Sequence, residues 1–255
     1  MRNSELLDAL CVRGGIVCAV GAGGKKTTLY RLLGAWPGRA ASTSTVFTLA
    51  FPADLPAHPL VSEPDTIVDE VLAAAPHHAK IAFACPSEKP GRCAGLSSAQ
   101  IARCHAEGGF DLTLVKADGA RMRLIKAPAE HEPSLVDGTT TILALVSARA
   151  IGRPLSARCA HRPELVSAVT GAAADEQLTP LHIARLIASG DGLLRDARDA
   201  RVVPIINMAD DAPPRAAARE AAKIALDLSD RYDRVVVAAM RADDAIVDVV
   251  TRAGG

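Results

Sequence analysis

The stretch Ile16–Leu33, IVCAVGAGGKKTTLYRLL, joins a predicted buried strand to a predicted helix through a glycine-rich loop. Ile16 to Val20 are all apolar, as expected of a strand that is covered on both faces. Glycines allow backbone N–H groups to turn toward a phosphate, and the start of a helix adds partial positive charge. The loop and the start of the helix contain eight candidate phosphate-binding residues: Gly21, Ala22, Gly23, Gly24, Lys25, Lys26, Thr27 and Thr28.

The two adjacent lysines allow two registers for such a loop. If Lys25 binds phosphate, Lys26 occupies the position of the hydroxyl that binds Mg²⁺ in the usual pattern. If Lys26 binds phosphate, Thr27 lies correctly beside it as a Mg²⁺ ligand. A cation cannot ligate Mg²⁺, so the sequence favours Lys26 with Thr27. The alternative is an ordinary glycine turn between a strand and a helix.

Composition limits the classes of function. The chain has 255 residues, with 29 acidic and 29 basic side chains, which argues against nucleic-acid and membrane-surface partners. Asp8 and Arg13 interrupt the N-terminal apolar residues, so no signal peptide is predicted, and no apolar run is long enough for a membrane-spanning helix. The predicted location is the cytoplasm, where the six cysteines would stay reduced. Their spacings match no familiar zinc pattern.

Strand-like and helix-like segments alternate along the chain. Strands are predicted at 16–20, 40–46, 79–84, 110–117, 140–146, 202–206 and 235–239. Three prolines predict a loop over 51–61, and Ser62 is a candidate N-cap for a helix to Ala75. We therefore predict one domain over 1–255, an α/β fold with a three-layer, mostly parallel sheet like that of P-loop NTPases. A helical insertion is expected at about 148–200.

The predicted strand 110–117 is followed by Asp118-Gly119. Ligands of open α/β sheets bind at the carboxyl ends of the strands, where this carboxylate is expected to lie. Asp-Gly alone is a common turn signal, but the glycine loop upstream favours Asp118 as a residue linked to Mg²⁺ and as the candidate catalytic residue.

The segment after Asp118 is rich in charge and contains two prolines that exclude a helix. Such a segment is usually a solvated surface loop. Its position beside Asp118 instead favours a loop that contacts a substrate. The candidate substrate-binding residues are Arg121, Lys126, Glu130, His131 and Glu132.

The strand 202–206 ends in Asn207-Met208-Ala209-Asp210. In proteins that select guanine with an Asn-Lys-x-Asp stretch, the aspartate accepts hydrogen bonds from two donors that adenine cannot supply together. Asn207 and Asp210 therefore predict a weak preference for GTP over ATP. The alternative is an Asn/Asp turn after a strand.

Four blocks together resemble a known family. They are GAGGKKTTLYRLL, ADGARMRLIKAPAEHEP, HRPELVSAVTG and INMAD, which lie between about Ile16 and Val237. They are similar to the selenium-dependent hydroxylase accessory proteins, the YqeC family, and the second block is the most specific of the four. The resemblance implies a P-loop protein associated with maturation of molybdenum-containing hydroxylases, sometimes alongside a molybdopterin cytidylyltransferase.

Three positions depart from that family's pattern. Lys116 stands where Glu is common, the loop has two lysines instead of one, and Met208 replaces a lysine. Lys116 removes a carboxylate that would bind metal or activate water. Two classes of function follow: an NTPase, phosphate-transfer enzyme or energised assembly factor, and a module that binds a nucleotide or a molybdopterin dinucleotide without turnover. A scaffold with a vestigial loop is a third.

Overall fold

The computed structural model describes residues 3–252 of the chain. In chain order the elements are α1 (Asn3–Ala9), β1 (Gly15–Gly21), α2 (Lys25–Ala35), β2 (Ala40–Ser44), β3 (Thr48–Leu49), β4 (His58–Val61), α3 (Ile67–Ala74), β5 (Lys80–Ala84), β6 (Arg92–Cys93), α4 (Ser98–Glu107), β7 (Leu112–Lys116), β8 (Ile125–Lys126), β9 (Thr139–Ser147), β10 (Ala160–His161), α5 (Pro163–Thr170), α6 (Pro180–Ala188), β11 (Arg201–Asn207), α7 (Ala212–Leu228), β12 (Arg234–Ala238) and β13 (Ile246–Thr251). Two short 3₁₀ helices follow α3 and β9, at Ala75–His77 and Ala148–Ala150.

Nine strands form the main sheet, in the order β13-β12-β11-β9-β1-β7-β2-β5-β4. All neighbouring strands pair in parallel except β13, which is antiparallel to β12 at one edge. β1 therefore lies in the middle, between β9 and β7. Its carboxyl end, where the glycine loop begins, is next to the carboxyl ends of both neighbours.

Helices cover both faces of the sheet. Ile16, Cys18 and Val20 of β1 face a core formed with α3 to α7, while Val17 and Ala19 face a second core formed with α1 and α2. Burial on both faces explains why β1 is a continuous apolar run rather than an alternating one. The prediction of an α/β fold with a mostly parallel, helix-covered sheet is confirmed.

Two local predictions were wrong, and one strand of the main sheet, β13, was not predicted. The predicted loop 51–61 contains the edge strand β4, in which Pro59 is tolerated because an edge strand has one unpaired side. Helix α3 begins at Ile67, and Ser62 is not its N-cap: the Ser62 hydroxyl bonds instead to the side chains of Thr66 and Glu70. The antiparallel strand β13 follows the last strand that the sequence predicted.

The segment between β9 and β11 contains β10, α5 and α6. Helix α6 begins at a capping box between Thr179 and His182, and it packs on α7. β10 pairs with β8, which places His161 beside Lys126 in the charged segment that follows Asp118. Across residues 3–252, no helix has both the length and the apolar character needed to cross a membrane.

Candidate functional site

The glycine loop, residues 21–24, is packed tightly against the ends of the neighbouring strands. Gly24 has φ 119°, and a Cβ there would lie 2.3 Å from Nδ2 of Asn207. A Cβ on Gly23, which has φ 86°, would lie 2.7 Å from the backbone nitrogen of Ser147. Glycine is required at both positions because of the left-handed backbone and the close approach. Lys25, Lys26 and Thr27 follow as the first turn of α2, whose N–H groups have no partner within the helix.

Asn207 at the end of β11 holds the loop in place. Its Nδ2 donates to the Gly23 carbonyl at 2.8 Å, and its Oδ1 accepts from the Met240 N–H at 3.0 Å. The carboxylate of Asp210 lies 3.0 Å from a guanidinium nitrogen of Arg149. The predicted guanine contact by these two residues stays a prediction, but in this structure both side chains bind other parts of the protein.

A cluster of five charged side chains lies beneath the loop; we call it the charge cluster. It consists of Lys25, Asp118, Lys126, Glu132 and Arg162. The Lys25 ammonium lies 2.7 Å from Oδ1 of Asp118 and also donates to the Gly21 carbonyl. The other oxygen, Oδ2, accepts from the Gly21 N–H at 2.9 Å and lies 3.1 Å from the Lys126 ammonium.

The cluster continues from Lys126 to Glu132. The Lys126 ammonium lies 2.7 Å from Oε2 of Glu132 and donates to the Gly119 carbonyl at 2.9 Å. The same Oε2 accepts from Arg162 at 2.5 Å and from the Ala129 N–H at 3.2 Å. Hydrogen bonds of this kind compensate the desolvation of buried ions.

The charge cluster has an excess of positive charge, with three cations and two carboxylates. Burial lowers the pKa of Lys25, against the attraction of Asp118. Burial would raise the pKa of Glu132, but the hydrogen bond and charge of Lys126, with help from Ala129 and Arg162, lower it to about 2. Glu132 is therefore ionised at neutral pH. An additional anion beside Lys25 would balance the cluster.

The predicted substrate segment divides into buried and exposed residues. Lys126 and Glu132 are buried in the charge cluster, whereas Arg121, Glu130 and His131 are exposed. The alternative of a wholly solvated surface loop does not hold for Lys126 and Glu132, whose side chains are buried, and contact of the segment with a substrate stays a prediction. Their burial follows from the mutual ion pair and from the Asp118 carboxylate beside it.

A pocket of about 520 Å³ opens beside the loop, lined by loop residues, by 46–49 and by the segment after Asp118. The described residues that line it carry seven cationic side chains and one carboxylate, that of Glu132. The cations are Lys25, Lys26, Arg92, Lys116, Arg121, Arg123 and Arg162. A pocket of this size and charge suits an anionic small molecule.

Two of these lysines hold the segment 46–49 beside the loop. Lys116 donates to the Phe47 carbonyl at 2.6 Å, and Lys26 donates to the Leu49 carbonyl at 3.2 Å. Burial and the nearby ammonium of Lys25 lower the pKa of Lys116 to about 7. Sequence reasoning noted Lys116 only as a departure from a family pattern, and it did not single out Arg92 or Arg162. The sequence did contain one signal for Lys116: it is a lysine directly before Ala-Asp-Gly, at the end of a predicted strand.

The two phosphate-binding registers correspond to different environments. Lys25 is 5% exposed and contacts both Asp118 and the first residue of the loop. Lys26 is half-buried, and its ammonium lies between backbone carbonyls of 49–50 and the Tyr30 ring. The sequence favoured Lys26 as the phosphate-binding lysine. In the structure, the lysine that contacts both the loop and Asp118 is Lys25.

The two residues predicted to bind Mg²⁺, Thr27 and Asp118, have different surroundings. Thr27 lines the pocket, while both Asp118 oxygens face ammonium groups. A direct bond from Asp118 to Mg²⁺ does not fit this arrangement unless a lysine moves. Among residues 3–252 no group of three or more His, Cys, Asp and Glu side chains is placed to hold a metal ion. Mg²⁺ binding through Thr27 and Asp118 stays a prediction.

These features describe an α/β protein with a glycine loop, a buried lysine–carboxylate pair beneath it and a cationic pocket beside it. The family model described as YqeC protein matches residues 17–164, more than half of the chain, so the chain belongs to that family. It is also 27% identical over 189 residues to the uncharacterized protein YqeC of Escherichia coli (strain K12), covering 72% of each chain. The family resemblance inferred from the four sequence blocks is thereby confirmed.

Proposed function

We propose that this protein binds the polyphosphate of a nucleotide, GTP or ATP, on the glycine loop. The observation that carries the proposal is the pocket, in which seven cations and one carboxylate surround the start of helix α2. The first N–H groups of the helix and the glycine backbone supply hydrogen-bond donors for phosphate oxygens. Phosphate is the anion whose charge and several acceptor oxygens match this set of donors.

Lys25 is the lysine that we assign to the phosphates. Its ammonium lies against the first residue of the loop and lines the pocket, so a phosphate on the loop amides would contact it. Asp118 would not be left unpaired when Lys25 turns to the ligand, because Lys126 and the Gly21 N–H remain on Oδ2. Lys26 and Lys116 would contribute from the rim of the same pocket.

Mg²⁺ dependence belongs to the proposal through Thr27 and Asp118. When bound, Mg²⁺ would neutralise phosphate charge; the protein's own contribution is to hold and orient the phosphates. Lys116 replaces a carboxylate that would activate water, and this favours binding without turnover over hydrolysis or phosphate transfer. A scaffold with no nucleotide binding is the remaining alternative.

The biological role that we propose rests on the family. An accessory function in the maturation of selenium-dependent molybdenum hydroxylases in the cytoplasm would place the protein beside a molybdenum hydroxylase or a molybdopterin cytidylyltransferase. The ligand in the pocket would then be a nucleotide or the nucleotide end of a molybdopterin dinucleotide. This role is supported by the family match and by a pocket that suits a phosphorylated ligand.

Calorimetric titration with ATP, GTP and inorganic tripolyphosphate, each with and without Mg²⁺, tests the binding proposal. We expect all three to bind, and multiple-turnover phosphate release then separates an NTPase from a binding module. Thermal denaturation with the same ligands gives an independent measure, because a ligand that binds only the folded state raises the melting temperature. If none of the three binds at millimolar concentration, the proposed binding of a nucleotide polyphosphate is wrong.

A further inference from the structure

Three exposed apolar side chains lie at the pocket, and we call them the apolar rim: Phe47, Leu49 and Met122. They are 47%, 44% and 87% exposed, and all three line the pocket. The other large apolar side chains exposed among residues 3–252, which are Val61, Leu181 and Leu228, do not line it. Grouping of exposed apolar residues around a pocket marks a surface that contacts a ligand.

The apolar rim is held next to the proposed phosphate site. Lys116 and Lys26 bind the carbonyls of Phe47 and Leu49, so the rim and two of the cations form one unit. The Phe47 ring also lies 4.2 Å from the ammonium of Lys89. Met122 reaches the pocket from the segment that follows Asp118, where the backbone turns with a positive φ of 59°.

The stretch 207–210 at the end of β11 offers less to a heterocycle. Both polar atoms of the Asn207 amide are bound to the backbone, and Asp210 pairs with Arg149. Neither Asn207 nor Asp210 lines the pocket. A base bound there would have to break contacts that stabilise the loop.

We propose that the apolar rim binds the flat heterocycle of a nucleoside polyphosphate, or of another phosphorylated planar heterocycle, whose phosphates lie on the glycine loop. The inference rests on the proposed phosphate site and adds the position of the ring. An aromatic ring and a flexible methionine contact either face of a flat heterocycle through apolar area, which every nucleobase has. Recognition of this kind does not distinguish adenine from guanine, so ATP and GTP bind with similar affinity.

The test compares ligands with and without a heterocycle. ATP, GTP and tripolyphosphate are titrated into the unchanged protein and into Phe47→Ala, Met122→Ala and Leu228→Ala. Leu228 is a matched control, because it is 49% exposed and lies outside the pocket. Phe47→Ala is expected to weaken ATP and GTP binding about tenfold, which is about 1.4 kcal/mol, and to leave tripolyphosphate unchanged. Met122→Ala is expected to act in the same direction, and Leu228→Ala to change nothing.

The remaining outcomes separate the two proposals. If tripolyphosphate binds and neither rim variant weakens ATP or GTP, the heterocycle lies elsewhere and only the placement of the ring is overturned. If Asp210→Asn loses GTP affinity and Phe47→Ala has no effect, the ring lies beside the end of β11. That result would also overturn its placement on the apolar rim. If tripolyphosphate and the nucleotides all fail to bind the unchanged protein, the phosphate site itself is wrong and the rim assignment falls with it.

Discussion

Replacing Lys25 or Lys26 by methionine decides which lysine binds phosphate. Methionine keeps much of the side-chain length and removes the charge. A charge-assisted hydrogen bond to phosphate contributes about 1.5–3 kcal/mol, so Lys25→Met should weaken tripolyphosphate and ATP binding about 10- to 150-fold. Lys26 is half-buried and shared between backbone carbonyls, so its ion pair with phosphate is more screened and Lys26→Met should cost a few-fold.

The fold should survive the Lys25 substitution. Breaking a buried ion pair by removing one partner costs about 3–5 kcal/mol when the other charge is left uncompensated. Asp118 keeps Lys126 at 3.1 Å and the Gly21 N–H at 2.9 Å, so the loss in unfolding free energy should fall below that range. Urea denaturation of the unliganded variants measures this loss, and Lys26→Met should show almost none.

Calorimetry on the two variants, both shown to be folded, gives the affinities. A larger loss for Lys26→Met than for Lys25→Met would show that the register favoured by the sequence is correct and that Lys25 only braces the loop. Equal, small losses would mean that the backbone amides carry the binding, and the role assigned to Lys25 would be wrong.

Three further predictions concern neighbouring charges. If Asp118 is linked to Mg²⁺, ATP affinity of Asp118→Asn measured over a Mg²⁺ series should be flat; a response equal to that of the unchanged protein would contradict the metal role. The Lys116 ammonium has a pKa near 7 and is charged below that pH, so ATP should bind more tightly as pH falls through 7. Lys116→Met should reduce this pH dependence of ATP affinity. If calorimetry gives the same pH dependence for the variant and the unchanged protein, the role of Lys116 is contradicted. Glu132 has a pKa near 2 when folded against an ordinary 4.5, so its ion pairs stabilise the fold above about pH 4.5 and are lost as pH falls toward 2. In urea denaturation over this pH range, the unfolding free energy of Glu132→Gln should fall less with acid than that of the unchanged protein. An equal fall in both proteins would show that Glu132 does not cause the loss of stability in acid.

Elements that are determined by local sequence were predictable. The apolar run of β1, the glycines of the loop and the end of β7 shortly before Asp118 each follow from short-range rules of backbone conformation and burial. The capping box of Ser97 and Gln100 at the start of α4 follows from the same kind of short-range rule. β4 was not, because Pro59 lies in a strand only where a sheet edge leaves its nitrogen unpaired.

Part of the candidate site was predictable as a set of residues, but its contacts were not. Charge-rich sequence is usually solvated, so nothing local showed that Lys126 and Glu132 are buried while Glu130 and His131 are exposed. The choice between Lys25 and Lys26 depends on which ammonium passes beneath the loop, and that is set by tertiary packing. The pocket residue Phe47 comes from a segment without a motif, brought to the loop by Lys116.

The charge cluster explains why two distant sequence blocks belong together. The block ADGARMRLIKAPAEHEP, from Ala117 to Pro133, supplies Asp118, Lys126 and Glu132, and the glycine-loop block supplies Lys25. Removing the second block's charges would leave Lys25 buried without an ionic partner, which is costly in a low-dielectric interior. The two blocks are therefore one structural unit: the first presents a cation at the pocket, and the second supplies the carboxylate that holds this cation there. Lys126 then keeps that carboxylate paired when the cation turns to a ligand.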